Sequence, residues 1–332
     1  MGRTDRAERL RMASAPTVDR GYDHSAVIYR TPDEYVHSVV PFITEGLARA
    51  ETVWAAVPTP KLSILREALG AAARDVTFVD ITEMGRNPGR ILAAEWAFIY
   101  QHRTGPVRLI AEPVWPGRTA VEYPACIQHE ALANIAFEDC DVAGLCPYDA
   151  SLLDDEILAD IRATHPLIGS NASRERSADY AVDAALQRCN QALATGPAPL
   201  TYTVSKAEDL AGARRHGGRY GRLLGLSADR IADLKLVITE LATNSLQHGG
   251  GRSRLAFWEH SGHLVCEVRD LGFLIDPLAG RRPPNTGGPG AVGLFVVNAL
   301  ADLVRTHTSP GGTTIHAYMR LDRFAPGAVT AD

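Results

Sequence analysis

From residue 26 onward, short apolar runs alternate with amphipathic stretches long enough to be helices, and this alternation limits the fold of the first half more than any other feature. Residues 26–29, 52–57, 76–80 and 107–113 read as strands, and 33–50, 60–73, 88–103 and 120–136 read as helices. Parallel strands need a crossover between them, so strands spaced by helices imply βαβ units. The expectation for residues 21–168 is a doubly wound α/β domain on a parallel sheet. Residues 1–20 are polar, Arg-rich and aperiodic, and read as a disordered leader.

A different pattern follows. An amphipathic segment over 173–194 predicts a helical linker within 169–199, closed by the breaker cluster Thr195-Gly196-Pro197-Ala198-Pro199. Residues 200–322 then read as strand 200–204, helices 206–224 and 228–248, and a hairpin of 254–259 with 264–270 about Ser261-Gly262. A Gly/Pro-rich stretch to residue 290, helix 292–301 and a second hairpin, 303–308 with 313–321, complete an α+β layer; 323–332 is a tail.

Composition excludes several classes of function. With 34 basic against 39 acidic residues in 332, a net charge of −5 and arginines dispersed along the chain, there is no electrostatic footprint for direct nucleic-acid binding. No run approaches the roughly 20 apolar residues of a membrane span, and the first residues lack the apolar centre of a signal peptide. Five cysteines, an odd number at irregular spacing, suit free thiols in a reducing cytoplasm. Cys126, His129, Cys140 and Cys146 offer zinc-ligand chemistry within about 20 residues, but they depart from tight C-x-x-C pairing, so buried inert thiols are expected.

Three features of the second half carry chemistry. Glu240, Asn244 and His248 recur at i, i+4 and i+8, so a carboxylate, a carboxamide and an imidazole form one column on helix 228–248. Such a column is also compatible with a plain solvated face. Asp270-Leu271-Gly272 ends a strand with an acid and a glycine, where backbone turns or approaches a ligand. Gly287-Gly288-Pro289-Gly290-Ala291-Val292-Gly293-Leu294 runs a Gly-rich loop into an apolar helix, an arrangement that presents N–H groups to an anion such as phosphate.

Together these resemble the N box and two glycine boxes of the GHKL ATPases, whose Bergerat fold is an α+β ATP-binding sandwich. The E-L-x-x-N-x-x-x-H-G form and short lid are most similar to the anti-sigma factor serine kinases. The resemblance implies Mg²⁺ on Asn244, Glu240 as general base, and the adenine amino group on Asp270 beside Gly272. It also implies a nucleotide-binding set completed by His248, Gly290, Gly293 and Leu294, with Thr313 or Thr314 at the adenine edge. The lid lacks lysine, leaving Arg281 or Arg282 for the γ-phosphate. Leu274 and Ala291 replace glycines of the family pattern. The implied activity is ATP-dependent phosphorylation of Ser or Thr on a STAS-type antagonist, with a sigma factor as second partner. A noncatalytic ATP-dependent binding module is the alternative. A sensor histidine kinase is weaker, because segment 173–194 has no His and His216 lies inside the ATPase region.

The first half, through Gly21-Tyr22-Asp23-His24, Glu130, Asn134, Leu145-Cys146-Pro147-Tyr148-Asp149 and His165-Pro166, is similar to MEDS sensory domains. That resemblance implies a RecA-like sheet without its phosphate loop, and indeed no G-x-x-x-x-G-K-[ST] follows the first strand. It also implies a small organic ligand. Open α/β sheets bind ligands at strand carboxyl ends, which selects His24, Tyr29, Glu112, Trp115 and Tyr123, although His24 and Tyr29 read somewhat better as hydrogen-bonded core and Trp115 reads equally as packing. The sequence leaves the oligomeric state open, a homodimer included.

Overall fold

The computed structural model describes residues 21–170, 173–284 and 292–322. Its first half runs β1 (Tyr22–Tyr29), α1 (Pro32–Ala48), β2 (Thr52–Val57), α2 (Thr59–Leu69), β3 (Val76–Asp80), α3 (Ile81–Met84), α4 (Ile91–Gln101), β4 (Val107–Ala111), α5 (Tyr123–Ala136), β5 (Val142–Asp149), α6 (Asp155–Thr164), β6 (Leu167–Ser170), β7 (Ser173–Arg176) and α7 (Val182–Cys189). The sheet order is β3-β2-β4-β5-β1-β6-β7, parallel throughout except for the antiparallel edge pair β6–β7. Apolar clusters lie on both faces, so β2 and β4, apolar except for Thr52 and the buried Arg108, have no exposed residue. The doubly wound α/β expectation is met.

Two segments differ from the sequence reading. Strand β5 sits at the sheet centre, yet Gly144 and Pro147 interrupt its apolar run, so periodicity does not reveal it. Gly144 is required there because a Cβ would stand 2.6 Å from the Tyr22 hydroxyl. The single linker helix expected over 173–194 is replaced by edge strand β7 and the shorter α7. Helix α7 packs on α5 with Ala185 and Cys189 buried, so it covers the first sheet and is no free linker.

The second half runs β8 (Leu200–Val204), α8 (Asp209–Leu223), α9 (Ala228–His248), β9 (Ser253–His260), β10 (His263–Asp270), α10 (Val292–Leu300), β11 (Leu303–Ser309) and β12 (Gly312–Arg320). Its antiparallel sheet has the order β11-β12-β10-β9-β8. Helix α9 starts at Ser227, whose hydroxyl caps the Arg230 N–H. Its buried face (Ile231, Leu234, Val237, Ile238, Leu241, Ala242, Ser245) recurs at helical spacing and meets Leu264, Cys266 and Val268 of the sheet.

The other face of this sheet is covered by the first half. Trp258, Val265, Leu303 and Tyr318 form one apolar cluster with Ala125. Polar ties flank it. Asn87 Nδ2 donates to the Asn298 carbonyl of α10 at 2.9 Å, Arg90 donates to the Asn298 and Ala301 carbonyls, and Arg86 pairs with Asp302 at 3.0 Å. A Cβ on Gly89 would lie 2.1 Å from Asn298 Oδ1, which dictates glycine at this approach.

Candidate nucleotide-binding site

Helix α9, the end of β10, the segment after it and β12 enclose a cavity of about 570 Å³. Its walls include Asn244, His248, Asp270, Gly272, Leu274, Arg282, Leu294 and Thr313. Asp270 is held in place: Ser245, one residue past Asn244 on α9, donates its hydroxyl to Oδ2, and the Gly272 N–H donates to Oδ1 at 2.9 Å. Each carboxylate oxygen keeps a lone pair for a further donor. Gly272 does not need a left-handed backbone; it is required because a Cβ would lie 2.6 Å from the His248 carbonyl.

Strand alternation decides between the two threonines. Ile315, Ala317 and Met319 pack with the helical layer, so Thr313 faces the cavity while Thr314 turns to the opposite face and accepts from Arg269 Nε at 3.1 Å. Thr313 closes a directed chain. Its hydroxyl donates to the Gly272 carbonyl at 2.8 Å, so the Thr308 hydroxyl, 2.9 Å away, must donate to Thr313 and itself accept the Leu274 N–H at 3.0 Å. Leu274 thus anchors the loop by its backbone. It is not among the residues with positive φ, so its side chain costs no strain at this position.

The two arginines also separate. Arg282 lines the cavity, with Asp276 3.6 Å from its guanidinium. Arg281 is buried, and its Nη2 donates to Gln128 of α5 at 2.6 Å. Burial pushes its pKa down to about 10. Arg281 therefore serves the contact between halves and is no candidate for a phosphate.

Glu240 is half-buried one turn before Asn244, and Gly293 in α10 closes onto both. A Cβ there would lie 2.8 Å from Glu240 Oε2 and 3.2 Å from the Asn244 amide. Asn244 Nδ2 is buried with no hydrogen-bond partner among the described residues. The amide oxygen, beside the Glu240 carboxylate and facing a glycine that leaves room, is the donor type a hydrated Mg²⁺ on ATP takes, while the unpaired Nδ2 donor calls for an acceptor such as a phosphate oxygen. Gly290 and Ala291 lie outside the described residues. Ser245 and Thr308 were not selected from the sequence, because their roles depend on partners 25 and 5 residues away.

The five residues chosen as sensory contacts fall in three places. Tyr29 and Glu112 meet at Lys61, which bonds both. Burial pushes the Glu112 pKa up to about 7 even though Lys61 opposes the shift. Trp115, stacked under Arg118 at 3.4 Å, and Tyr123, which donates to Asp160 at 2.9 Å, line a separate cavity of about 970 Å³. His24 is fully buried away from both, beside Glu130, Cys146 and His165. Cys126 bonds the Glu122 carbonyl and Cys140 is half-buried elsewhere, so neither joins Cys146.

Residues 23–166 match the family described as MEthanogen/methylotroph, DcmR Sensory domain (MEDS), and residues 203–319 match the histidine kinase-like ATPase domain. The chain is 28% identical over 128 residues to the serine-protein kinase RsbW of Halalkalibacterium halodurans, which spans 35% of this chain and 79% of that protein. A solved structure of RsbU and RsbW domains from Mycobacterium tuberculosis is 22% identical, with a TM-score of 0.29, covering 39% of this chain and 33% of that one. No helix among the described residues is long and apolar enough to cross a membrane.

Proposed function

Because the chain joins a MEDS sensory domain to a histidine kinase-like ATPase domain, we propose that it is an anti-sigma regulatory kinase whose second half binds Mg-ATP. Its phosphoryl acceptor is a Ser or Thr hydroxyl on a STAS-type antagonist, its other partner is a sigma factor, and its first half tunes both through a small ligand. The relative named serine-protein kinase supports the acceptor chemistry. The observation that carries the reading is that Asn244 and Asp270 open on one cavity while Glu240 sits one turn away on the same helix.

Each group has a task its chemistry suits. Asp270, fixed by Ser245 and Gly272, accepts the adenine amino hydrogen. Asn244 supplies an amide oxygen to the cation, and Arg282 supplies positive charge at the rim. Bound Mg-ATP supplies the transferable phosphoryl group. Glu240 takes the proton of the incoming hydroxyl, since a carboxylate within reach is enough for a base in such transfer.

One motive of the noncatalytic reading weakens, because Leu274 occupies its position without a left-handed backbone, while the other, Ala291, lies outside the described residues. The histidine kinase reading fares worse: α7 has eight residues and no histidine, and His216 packs between the Tyr202 and Phe257 rings. The test is calorimetric ATP binding together with transfer of labelled phosphate to a STAS protein. Asn244→Ala should abolish binding, and Glu240→Gln should keep binding while reducing transfer at least ~100-fold. Unchanged binding in Asn244→Ala overturns the site; transfer unaffected by Glu240→Gln overturns the assigned base.

A further inference from the structure

Beneath the first sheet, His24 of β1, Glu130 of α5, Cys146 of β5 and His165 just after α6 converge in a fully enclosed space. One donor atom from each lies within 4.8 Å of all the others. The nearest separations are 3.5 Å from His24 Nε2 to Cys146 Sγ, 3.5 Å from each histidine Nε2 to Glu130 Oε2, and 3.8 Å from Cys146 Sγ to Glu130 Oε2. We propose that these four side chains form a tetrahedral zinc site.

Proton bookkeeping supports it. Asn134 Nδ2 donates to the carbonyls of Glu130, Ala131 and Thr164, which turns Oδ1 toward His24 Nδ1 at 3.1 Å and places the His24 proton on Nδ1. His165 Nδ1 faces the Ile161 carbonyl at 2.8 Å and is protonated for the same reason. Both rings therefore turn a bare Nε2 inward, with their outer nitrogens held as ligating histidines are held. Tyr148 donates its only hydroxyl proton to Glu130 Oε1, so it has none for His165 Nε2 at 3.3 Å. What remains is two imidazole lone pairs, one carboxylate oxygen and a single thiol proton. That proton can satisfy one of the three acceptors.

A divalent cation in place of the thiol proton satisfies all four. Thiolate plus carboxylate carries two negative charges, which cancel it. The separations discriminate as well: 3.5 Å between nitrogen and oxygen is too long for a charge-assisted hydrogen bond, which runs to about 2.9 Å. Ligands on one tetrahedral ion stand about 3.5 to 3.8 Å apart, because that edge puts the centre roughly 2.1 to 2.3 Å away, the range of Zn–N and Zn–S bonds. Two imidazoles, a thiolate and a carboxylate suit zinc, and a closed set of four leaves no position for substrate. The Tyr22 ring stacks on His24 at 4.8 Å and Phe137 stands edge-on to Tyr22, keeping water out. The ion would clamp two strands, a helix and the turn after α6.

The test uses the full chain. After incubation with zinc and desalting, mass spectrometric metal analysis should find about one zinc per chain, and cobalt substitution should give tetrahedral bands with a thiolate charge-transfer band. Cys146→Ser should lose that band and at least ~10-fold in affinity while keeping its circular dichroism, and His165→Gln should weaken binding similarly. Less than ~0.1 metal per folded chain overturns the proposal, as does a cobalt spectrum that Cys146→Ser leaves unchanged. If Cys146→Ser fails to fold, the wild-type cobalt spectrum decides, a thiolate band supporting the site and its absence overturning it.

Discussion

Asn87 and Asn298, 211 residues apart, share a buried hydrogen bond that joins the first half of the chain to the helix following the glycine-rich loop. Asn87 also receives the Gly89 and Val304 N–H groups on its oxygen, while Asn298 Nδ2 donates to the carbonyls of Gly280 and Leu294. The pair therefore ties Gly280 and Leu294, the latter on the cavity wall, to the first half. Asn87→Ala and Asn298→Ala should each cost about 1–2 kcal/mol in denaturant unfolding, with a coupling of about 1 kcal/mol in the double variant. Additive effects would show that the pair does not act as a unit.

Thr313 and Thr314 should behave differently although they are adjacent and both buried. Thr313→Val cuts the chain that runs from Leu274 to the Gly272 carbonyl, so ATP affinity should fall roughly tenfold. Thr314→Val removes a bond to Arg269 on the far face and should leave the affinity within about twofold. Titration calorimetry of the two variants measures the contrast.

The neighbouring arginines should divide between binding and stability. Arg282→Ala should weaken ATP binding, with an effect that shrinks as salt rises, and leave the melting temperature nearly unchanged. Arg281→Met should leave the nucleotide contacts intact and shift stability, since it replaces a buried charge that bonds Gln128. An Arg281→Met variant that binds ATP as weakly as Arg282→Ala would contradict the assignment.

Gly293→Ala separates activity from stability. Alanine gains about 1 kcal/mol of helix propensity over glycine, and the group its Cβ meets, 2.8 Å away, is the movable end of Glu240. Unfolding free energy should change by less than about 1 kcal/mol, while transfer to the antagonist should drop at least ~10-fold because the carboxylate is pushed aside. Parallel unfolding and transfer assays check this.

Glu112 should make stability depend on pH near neutrality. Its folded pKa is raised to about 7, so the native state holds the proton longer than the unfolded chain does. The Glu112 contribution to stability is then complete below its unfolded pKa and is lost as pH rises to about 7, by roughly 3 kcal/mol. Urea unfolding at several pH values should show this slope in the wild type and a flatter one in Glu112→Gln.

The sequence exposed whatever depends on local spacing. Helix α9 with its Glu240, Asn244 and His248 column has the bounds its periodicity suggested, because a long amphipathic helix is written in neighbouring residues. Strand β5 was hidden by Gly144, where a Cβ would meet the Tyr22 hydroxyl, and by Pro147, which lies past the last residue paired with β4 and is flanked by β1 alone. The direction of Arg281 was equally illegible. Its burying partner, Gln128, comes 153 residues earlier, and no local pattern distinguishes it from Arg282. His24, chosen as a strand-end contact, proved to face Glu130, Cys146 and His165, a gathering that only the folded sheet creates.

The breaker cluster at 195–199 marks a change of pattern along the chain, but Trp258, Tyr318 and Arg281 are screened from solvent by residues of the other half. Excising the ATPase region at that cluster, or grafting it behind an unrelated sensor, would uncover an aromatic patch and a guanidinium that had been in the dark. Such chimaeras should aggregate unless α5 travels with them, so the unit that evolution can shuffle is larger than the unit that sequence punctuation suggests.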